Sequence, residues 1–319
     1  MNKITLKNAA VFFREQDNFV ILMHVYPDGD TVGSAAALCA ALRNMGKNAY
    51  IKCSHEIPKK FGFVSNKYLT KDFDEETVIA VDVADNMLLG SLREIYGERV
   101  DLSIDHHGSN TGFAKETFLE TCSANCENIY NLLCEMGCDI TKDIANALFL
   151  GLSTDTGCFK YASVTSQTHI IAAKLIECGA DAGEINRVMF DTKTKSRMLL
   201  EQLAFESMTF HFGDRCAVMV LTNDIKERAK CTADDLDGIS ALPRSIEGVT
   251  VGVTVRERGC GKYKISLRTH APVDASKICA TLGGGGHPRA AGCEIDGPCD
   301  AAKQRILDAI DTYFKENNI

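Results

Sequence analysis

Apolar and polar positions alternate in blocks along the first half of the chain. Residues 19–24 (FVILMH) are a continuous apolar run closed by a histidine, the pattern of a strand buried on both faces. Residues 31–45 are rich in small side chains and leucine and stop before Gly46, which predicts a helix with a glycine stop. Further strands are predicted over 49–53, 77–82 (TVIAVD) and 100–105 (VDLSID), with helical spacing in 87–96 and 124–136. Strand–helix alternation implies right-handed crossovers and a parallel sheet. Residues 142–153, 167–178 and 183–207 then read as helices, with little strand signal among them.

Near Met208 the pattern changes. Residues 216–222 (CAVMVLT), 249–257 (VTVGVTVRE) and 262–268 (KYKISLR) are β-rich, and the Gly259-Cys260-Gly261 stretch predicts a hairpin turn. Helical patterns follow at 274–282 and 300–316. The expected fold is therefore α/β with two domains. A parallel-sheet domain with flanking helices occupies 1–185, a helical connector 186–207, and a smaller α/β domain 208–319. No internal repeat is present, which excludes a solenoid.

Composition narrows the class. Of 319 residues, 45% are hydrophobic and 24% charged, the profile of a soluble globular protein. There is no run of about 18 apolar residues to span a membrane, and the N-terminus lacks the apolar core of a signal peptide, so a cytoplasmic protein is expected. The net charge of −8 lies wholly in residues 1–209, because residues 210–319 carry as many basic as acidic side chains. That is the wrong sign for coating long nucleic acid, but it suits an acidic pocket for divalent cations. The absence of Trp and an aromatic content of 7% make a long base-stacking track a poor fit. Fourteen cysteines include Cys122-x3-Cys126 and Cys134-x3-Cys138 but no C-x-x-C pair. This speaks against structural zinc and for reduced, mostly buried thiols.

Three predicted strands end in a metal-ligand type of residue: His24, Asp82 and Asp105. In open parallel sheets the ligand crevice lies at the carboxyl ends of the strands, so these groups are expected to converge. His24, Asp28 and Asp30 share the loop HVYPDGD, whose Pro27 and Gly29 favour a tight turn and whose Asp30 or Thr31 is the expected N-cap of the following helix. Asp82 follows five apolar residues and would be costly to bury without a partner. Asp85 is read as a helix cap. Asp105, His106 and His107 form the third cluster, and Asp155, in STDTG, closes a helical run. His24, Asp28, Asp30, Asp82, His106 and Asp155 give two imidazoles and four carboxylates without a thiolate. That donor set suits Mn²⁺ or Mg²⁺, and its size suits two ions sharing a bridging carboxylate, as in phosphoryl transfer.

The segments HVYPDGD, VDVAD, DHH and STDTG resemble the four motifs of the DHH phosphoesterases, and GGGGHPRAAG at 283–292 is similar to the signature of the DHHA1 domain. By length and layout the chain looks most like the nanoRNase group, bifunctional oligoribonucleases and phosphatases of 3′-phosphoadenosine 5′-phosphate (pAp). The resemblance implies one Mn²⁺ on His24, Asp28 and Asp82 and a second on Asp30, Asp82, His106 and Asp155, with a shared water or hydroxide as nucleophile. His107 would stabilise the phosphate or donate a proton, and Asp105 would orient a ligand histidine from behind. Gly284, Gly285, Gly286, His287, Arg289 and Arg268 would contact substrate, the glycines by letting backbone approach closely. Short RNA and nucleotides are the implied substrates, and a homodimer is consistent with family analogy. Two other readings remain: a phosphodiesterase for cyclic or linear dinucleotides, and a non-catalytic RNA-binding module that kept the fold.

Overall fold

The computed structural model describes residues 2–319, and the chain forms two compact units, Met1–Thr192 and Lys193–Ile319. In the first unit β1 (Phe19–Leu22), β2 (Ala49–Lys52), β3 (Thr77–Val81), β4 (Leu102–Asp105) and β5 (Glu116–Leu119) make one sheet in the order β2-β1-β3-β4-β5. Every pairing is parallel. Both faces are covered, which explains the continuous apolar runs. Phe19, Ile21, Ile79 and Val81 enter a core shared with helices Gly29–Asn44, Asn125–Met136 and Lys142–Asp155. Val20, Leu22, Val78 and Ala80 point the other way, onto Leu89, Leu92 and Tyr96. The winding reverses between β1 and β3, so the carboxyl ends of these two strands flank the crevice of a topological switch point.

Two helices of this unit touch through glycine. A Cβ on Gly33 would sit 2.3 Å from the carbonyl oxygen of Ala147, and one on Gly151 would sit 2.3 Å from Cys126 Sγ and 2.7 Å from Asp30 Oδ1. Backbone-to-backbone packing of Gly29–Asn44 on Lys142–Asp155 thus brings the start of one helix beside the end of the other.

In the second unit β6 (Thr209–His211), β7 (Cys216–Leu221), β8 (Val251–Gly259), β9 (Lys262–Thr269), β10 (Gly285–His287) and β11 (Ala290–Asp296) form a mixed sheet, order β10-β11-β9-β8-β7-β6. Only β7 and β8 pair in parallel. Helices Ala275–Ala280 and Cys299–Glu316 cover one face, over Val251, Val253, Val255, Ile265 and Leu267. Helix Lys195–Glu206 packs Leu200, Leu203 and Ala204 onto Met219 and Leu221.

Several expectations are corrected. Residues 86–96 are not one α-helix but a 3-10 segment, Asn86–Leu92, and a short helix, Arg93–Tyr96, interrupted where Gly90 takes φ 59°. Residues 183–207 are three pieces, with a π-helical turn at Arg187–Asp191. Strands β5 and β6 and helix Asn223–Ala229 were not predicted, because each is too short or too mixed to show a clean period; helix Leu6–Glu15 was missed although Ala9, Ala10 and Phe13 mark a buried face at helical spacing. The glycine-rich stretch is a strand as well as a loop, since Gly285, Gly286 and His287 pair with Gly292, Ala291 and Ala290. Every cysteine among the described residues is a free thiol, but only five are buried, with six half-buried and three exposed. No helix among the described residues is long and apolar enough to cross a membrane.

Candidate metal centre

The loop after β1 carries the first three candidates. Asp28, not Asp30 or Thr31, is the N-cap of helix Gly29–Asn44: its Oδ1 accepts from the backbone N–H of Asp30 and of Thr31, both at 3.1 Å. Its side chain is still 56% exposed and lies 3.6 Å from His24 Nε2. Asp30 is buried, and its carboxylate is held by another helix. Oδ2 accepts from Asn125 N at 2.5 Å and Oδ1 from Cys126 N at 2.9 Å. These are free N–H groups at the start of Asn125–Met136, whose own N-cap residue, Ala124, has no side chain to satisfy them. A carboxylate has about four lone-pair sites, so these bonds leave room for a cation.

Asp82 follows β3 directly and takes φ 59°, a left-handed conformation uncommon for a residue other than glycine. Its Oδ2 is 3.7 Å from His24 Nε2 and its Oδ1 3.4 Å from His106 Nε2. Yet Oδ1 is buried without a hydrogen bond. Strained backbone and an orphaned buried oxygen in one residue are features that cluster at functional sites. Asp155, the last residue of helix Lys142–Asp155, stands 3.9 Å from His106 Nε2, as does Asp30.

The two adjacent histidines turn differently. His106 Nδ1 lies 3.1 Å from the carbonyl of Cys122, which fixes the ring and leaves Nε2 facing Asp82, Asp30 and Asp155. His107 Nδ1 is 2.8 Å from Asp105 Oδ1, and its side chain is 45% exposed. The buried Asp105 also accepts from Asn110 Nδ2 at 2.6 Å and from the backbone N–H of His106 at 2.8 Å. The ring that Asp105 holds is thus that of His107, not that of His106, whose Nε2 faces the carboxylate cluster. A main-chain carbonyl does that work for His106, and no side-chain pattern could have announced it. The Asn125 and Cys126 N–H groups behind Asp30 were missed for the same reason, whereas Asn110 is a side-chain partner three residues beyond DHH that sequence reading overlooked.

Charge in the cluster is unbalanced. Burial, then the neighbouring Asp30 carboxylate, push Asp82 well above the ordinary carboxylate range. The same two causes in the same order raise Asp155 to about 7. Burial opposes protonation of His106, but Asp82, the Cys122 side chain and the charge of Asp30 outweigh it and raise the imidazole to about 12. Carboxylates crowded in this way are stabilised by a divalent cation. Three groups of possible ligand atoms, each within 4.8 Å of one another, occur here: His24, Asp28 and Asp82; Asp30, His106 and Asp155; and Asp82, His106 and His107. The oxygen-and-imidazole donor set and the unpartnered Asp82 Oδ1 fit divalent cations.

In the second unit Arg268 and Gly285 line a cavity of about 600 Å³ together with Lys264, Ser266 and Glu294. Gly284 is packed under β11, where a Cβ would lie 2.2 Å from the Gly292 carbonyl oxygen, and Gly286 takes φ 141°. His287 is exposed, and Arg289 Nη1 donates to the Val273 carbonyl at 2.5 Å.

Residues 18–152 match the DHH family, N-terminal domain, and residues 213–316 the DHHA1 domain. The chain belongs to the DHH phosphoesterase family, hydrolases acting on phosphate esters. It is similar to the bifunctional oligoribonuclease and PAP phosphatase NrnA of Thermus thermophilus, 32% identical over 91% of this chain and 88% of that one. The Bacillus subtilis protein of the same name is 24% identical, over 94% of this chain and 96% of its own. Among solved structures, an exopolyphosphatase-related protein from Bacteroides fragilis superposes with a TM-score of 0.87 at 26% identity, covering 97% of this chain and 96% of that one.

Proposed function

We propose that this chain is a Mn²⁺-dependent, two-metal phosphoesterase that hydrolyses very short RNA to mononucleotides and converts pAp to AMP. The observation that carries the reading is the double engagement of Asp82, one oxygen toward His24 and the other toward His106. One ion would be held by His24, Asp28 and Asp82, the other by Asp30, Asp82, His106 and Asp155. Imidazoles beside carboxylates favour Mn²⁺ over Mg²⁺. Bound ions would supply positive charge against the phosphate and a nucleophile from water at neutral pH.

The protein's own groups do the rest. Asp105, acting through Nδ1, fixes the His107 ring and leaves Nε2 to hold or deliver a proton at a phosphate oxygen. The Cys122 carbonyl keeps His106 Nε2 turned inward, and the helix start at Asn125 and Cys126 fixes Asp30. In the second unit Arg268, Gly285 and His287 would meet phosphate or sugar, while Gly284, Gly286 and Arg289 shape the hairpin that presents them. The relatives named oligoribonuclease and PAP phosphatase support this substrate class. The free thiols suit a reducing cytoplasm.

The test is a panel. Metal-stripped protein is given Mn²⁺ or Mg²⁺ and offered pAp, very short RNA, linear and cyclic di-AMP, and pyrophosphate. Mn²⁺-dependent consumption of pAp and short RNA is expected. Inertness toward both overturns the reading, and turnover of di-AMP alone replaces it with the dinucleotide phosphodiesterase. Binding of RNA without turnover of any substrate would mark the non-catalytic module.

A further inference from the structure

One surface beside the metal cluster has no part in holding ions. Tyr26 sits between His24 and Asp28, two residues from each, yet its side chain is 74% exposed. The neighbouring loop is not loose. Val25 N–H donates to the Leu88 carbonyl at 2.6 Å, Pro27 is buried and Asp28 caps a helix. The ring leans edge-on against His55, at 5.7 Å between centroids and 74° between planes, and His55 follows β2. The Val25–Leu88 bond also brings up the segment after β3, where Met87 is 61% exposed and its N–H is held by Asp85 Oδ1 at 2.8 Å. Gly90, with φ 59°, closes that segment against Ser54: a Cβ there would lie 2.5 Å from Ser54 Oγ.

Loops from three neighbouring strands thus hold a tyrosine, a histidine and a methionine out into solvent at the carboxyl edge of the sheet. The exposed groups are a phenol ring, an imidazole and a thioether, which suit a flat, polarisable ligand. Aromatic faces stack on nucleobases, and thioethers make favourable contacts with aromatic rings. Resting on the phosphoesterase reading above, we propose that Tyr26, backed by His55, is the stacking platform for the base of the nucleotide whose phosphate is attacked. Tyr26 is then a specificity-determining residue. It favours substrates bearing a base, and purines over pyrimidines because the stacked area is larger.

The test uses binding as well as turnover. AMP and ribose 5-phosphate, which differ in the base, are titrated calorimetrically into the Mn²⁺-loaded protein and its Tyr26→Ala and Tyr26→Phe variants. Stacking on one base is worth about 1–3 kcal/mol, so Tyr26→Ala should weaken AMP by about 5- to 150-fold and leave ribose 5-phosphate unchanged. Tyr26→Phe should retain wild-type affinity for both. In turnover of pAp, Tyr26→Ala should raise KM by a similar factor with little change in kcat. Equal weakening of AMP and ribose 5-phosphate, or no weakening of AMP, overturns the proposal. A protein that binds AMP through Tyr26 but hydrolyses neither pAp nor RNA would refute the activity and leave the stacking site standing.

Discussion

Asp105 Oδ1 lies 2.8 Å from Nδ1 of His107, and that bond separates the roles of two adjacent histidines. His106 spends its Nδ1 on the Cys122 carbonyl and turns Nε2 into the carboxylate cluster. His107 spends its Nδ1 on Asp105 and stays at the surface of the site. The carboxylate is held below its ordinary range: burial opposes ionisation, but hydrogen bonds from His107 and Asn110 outweigh it. It is therefore an anion that fixes one tautomer and one ring orientation.

Asp105→Asn should consequently lower kcat while leaving the ions in place. An amide cannot anchor the His107 ring as an anion does, and it sets an NH₂ group against a neighbouring donor. Loss of an orienting partner of this kind typically costs 10–100-fold, so kcat should fall by about that factor. Mn²⁺ stoichiometry, read by calorimetry, should match wild type, and the pH profile of kcat should change shape. Loss of one Mn²⁺ equivalent instead would assign Asp105 to the ions.

Asp82→Asn is expected to separate stability from function. In chelator the native carboxyl is buried, crowded by Asp30 and without a hydrogen bond on Oδ1, so replacing it with an uncharged amide of the same size should leave Tm unchanged or raise it. Asparagine also tolerates the left-handed backbone at this position. With Mn²⁺ the wild type gains stability by mass action, about 2.7 kcal/mol at a hundred times Kd, and the variant should gain far less. Turnover should drop at least about a hundredfold, because the ions Asp82 would bridge supply several kcal/mol of charge stabilisation to the transition state. A variant whose Tm rises with Mn²⁺ as much as wild type would remove Asp82 from the bridge.

The sequence made legible what periodicity and motif chemistry carry. The buried strands β1 and β3 are apolar runs, β2 and β4 are mostly apolar, and β7 to β9 are rich in β-branched residues, so their positions were readable to within a few residues. His24, Asp82 and Asp105 could be placed at one sheet edge, because strand ends in a parallel sheet share an edge. What escaped depends on the main chain. The Cys122 carbonyl behind His106 and the Asn125 and Cys126 N–H groups behind Asp30 belong to no residue type. The preference for Asp28 as cap over Asp30 is decided by a turn geometry that Pro27 and Gly29 permit but do not specify. Strand β10 was hidden because Gly285-Gly286 has no side-chain pattern, only a partner in β11.

Glu75 should mark the acid limb of stability. Its carboxylate accepts from the hydroxyls of Tyr50 and Tyr96 and pairs with Lys71 at 2.8 Å. Burial opposes ionisation, but these partners outweigh it and lower the group from 4.5 to about 2. A depressed carboxyl stabilises the fold fully above its unfolded pKa, and the contribution is lost as pH falls through the folded value. Wild type should thus exceed Glu75→Gln in Tm above about pH 5, with the gap closing as the pH approaches about 2. A gap that persists unchanged to the lowest pH would show that packing, not ionisation, is what the substitution removes.

Neighbouring glycines of the hairpin should respond differently to one methyl group. A Cβ on Gly284 would lie 2.2 Å from the Gly292 carbonyl oxygen and 2.5 Å from Cys293 Cβ, both in β11, whereas a Cβ on Gly285 meets nothing within 4 Å. Overpacking against backbone costs about 1–3 kcal/mol or more, so Gly284→Ala should lower unfolding free energy by at least that much in urea. Gly285→Ala should unfold like wild type within about 0.5 kcal/mol. Yet Gly285 lines the same cavity as Arg268 and Lys264. If the substrate phosphate or sugar lies there, the added methyl should raise KM for pAp with stability intact. Unchanged KM in Gly285→Ala would move the substrate off this strand.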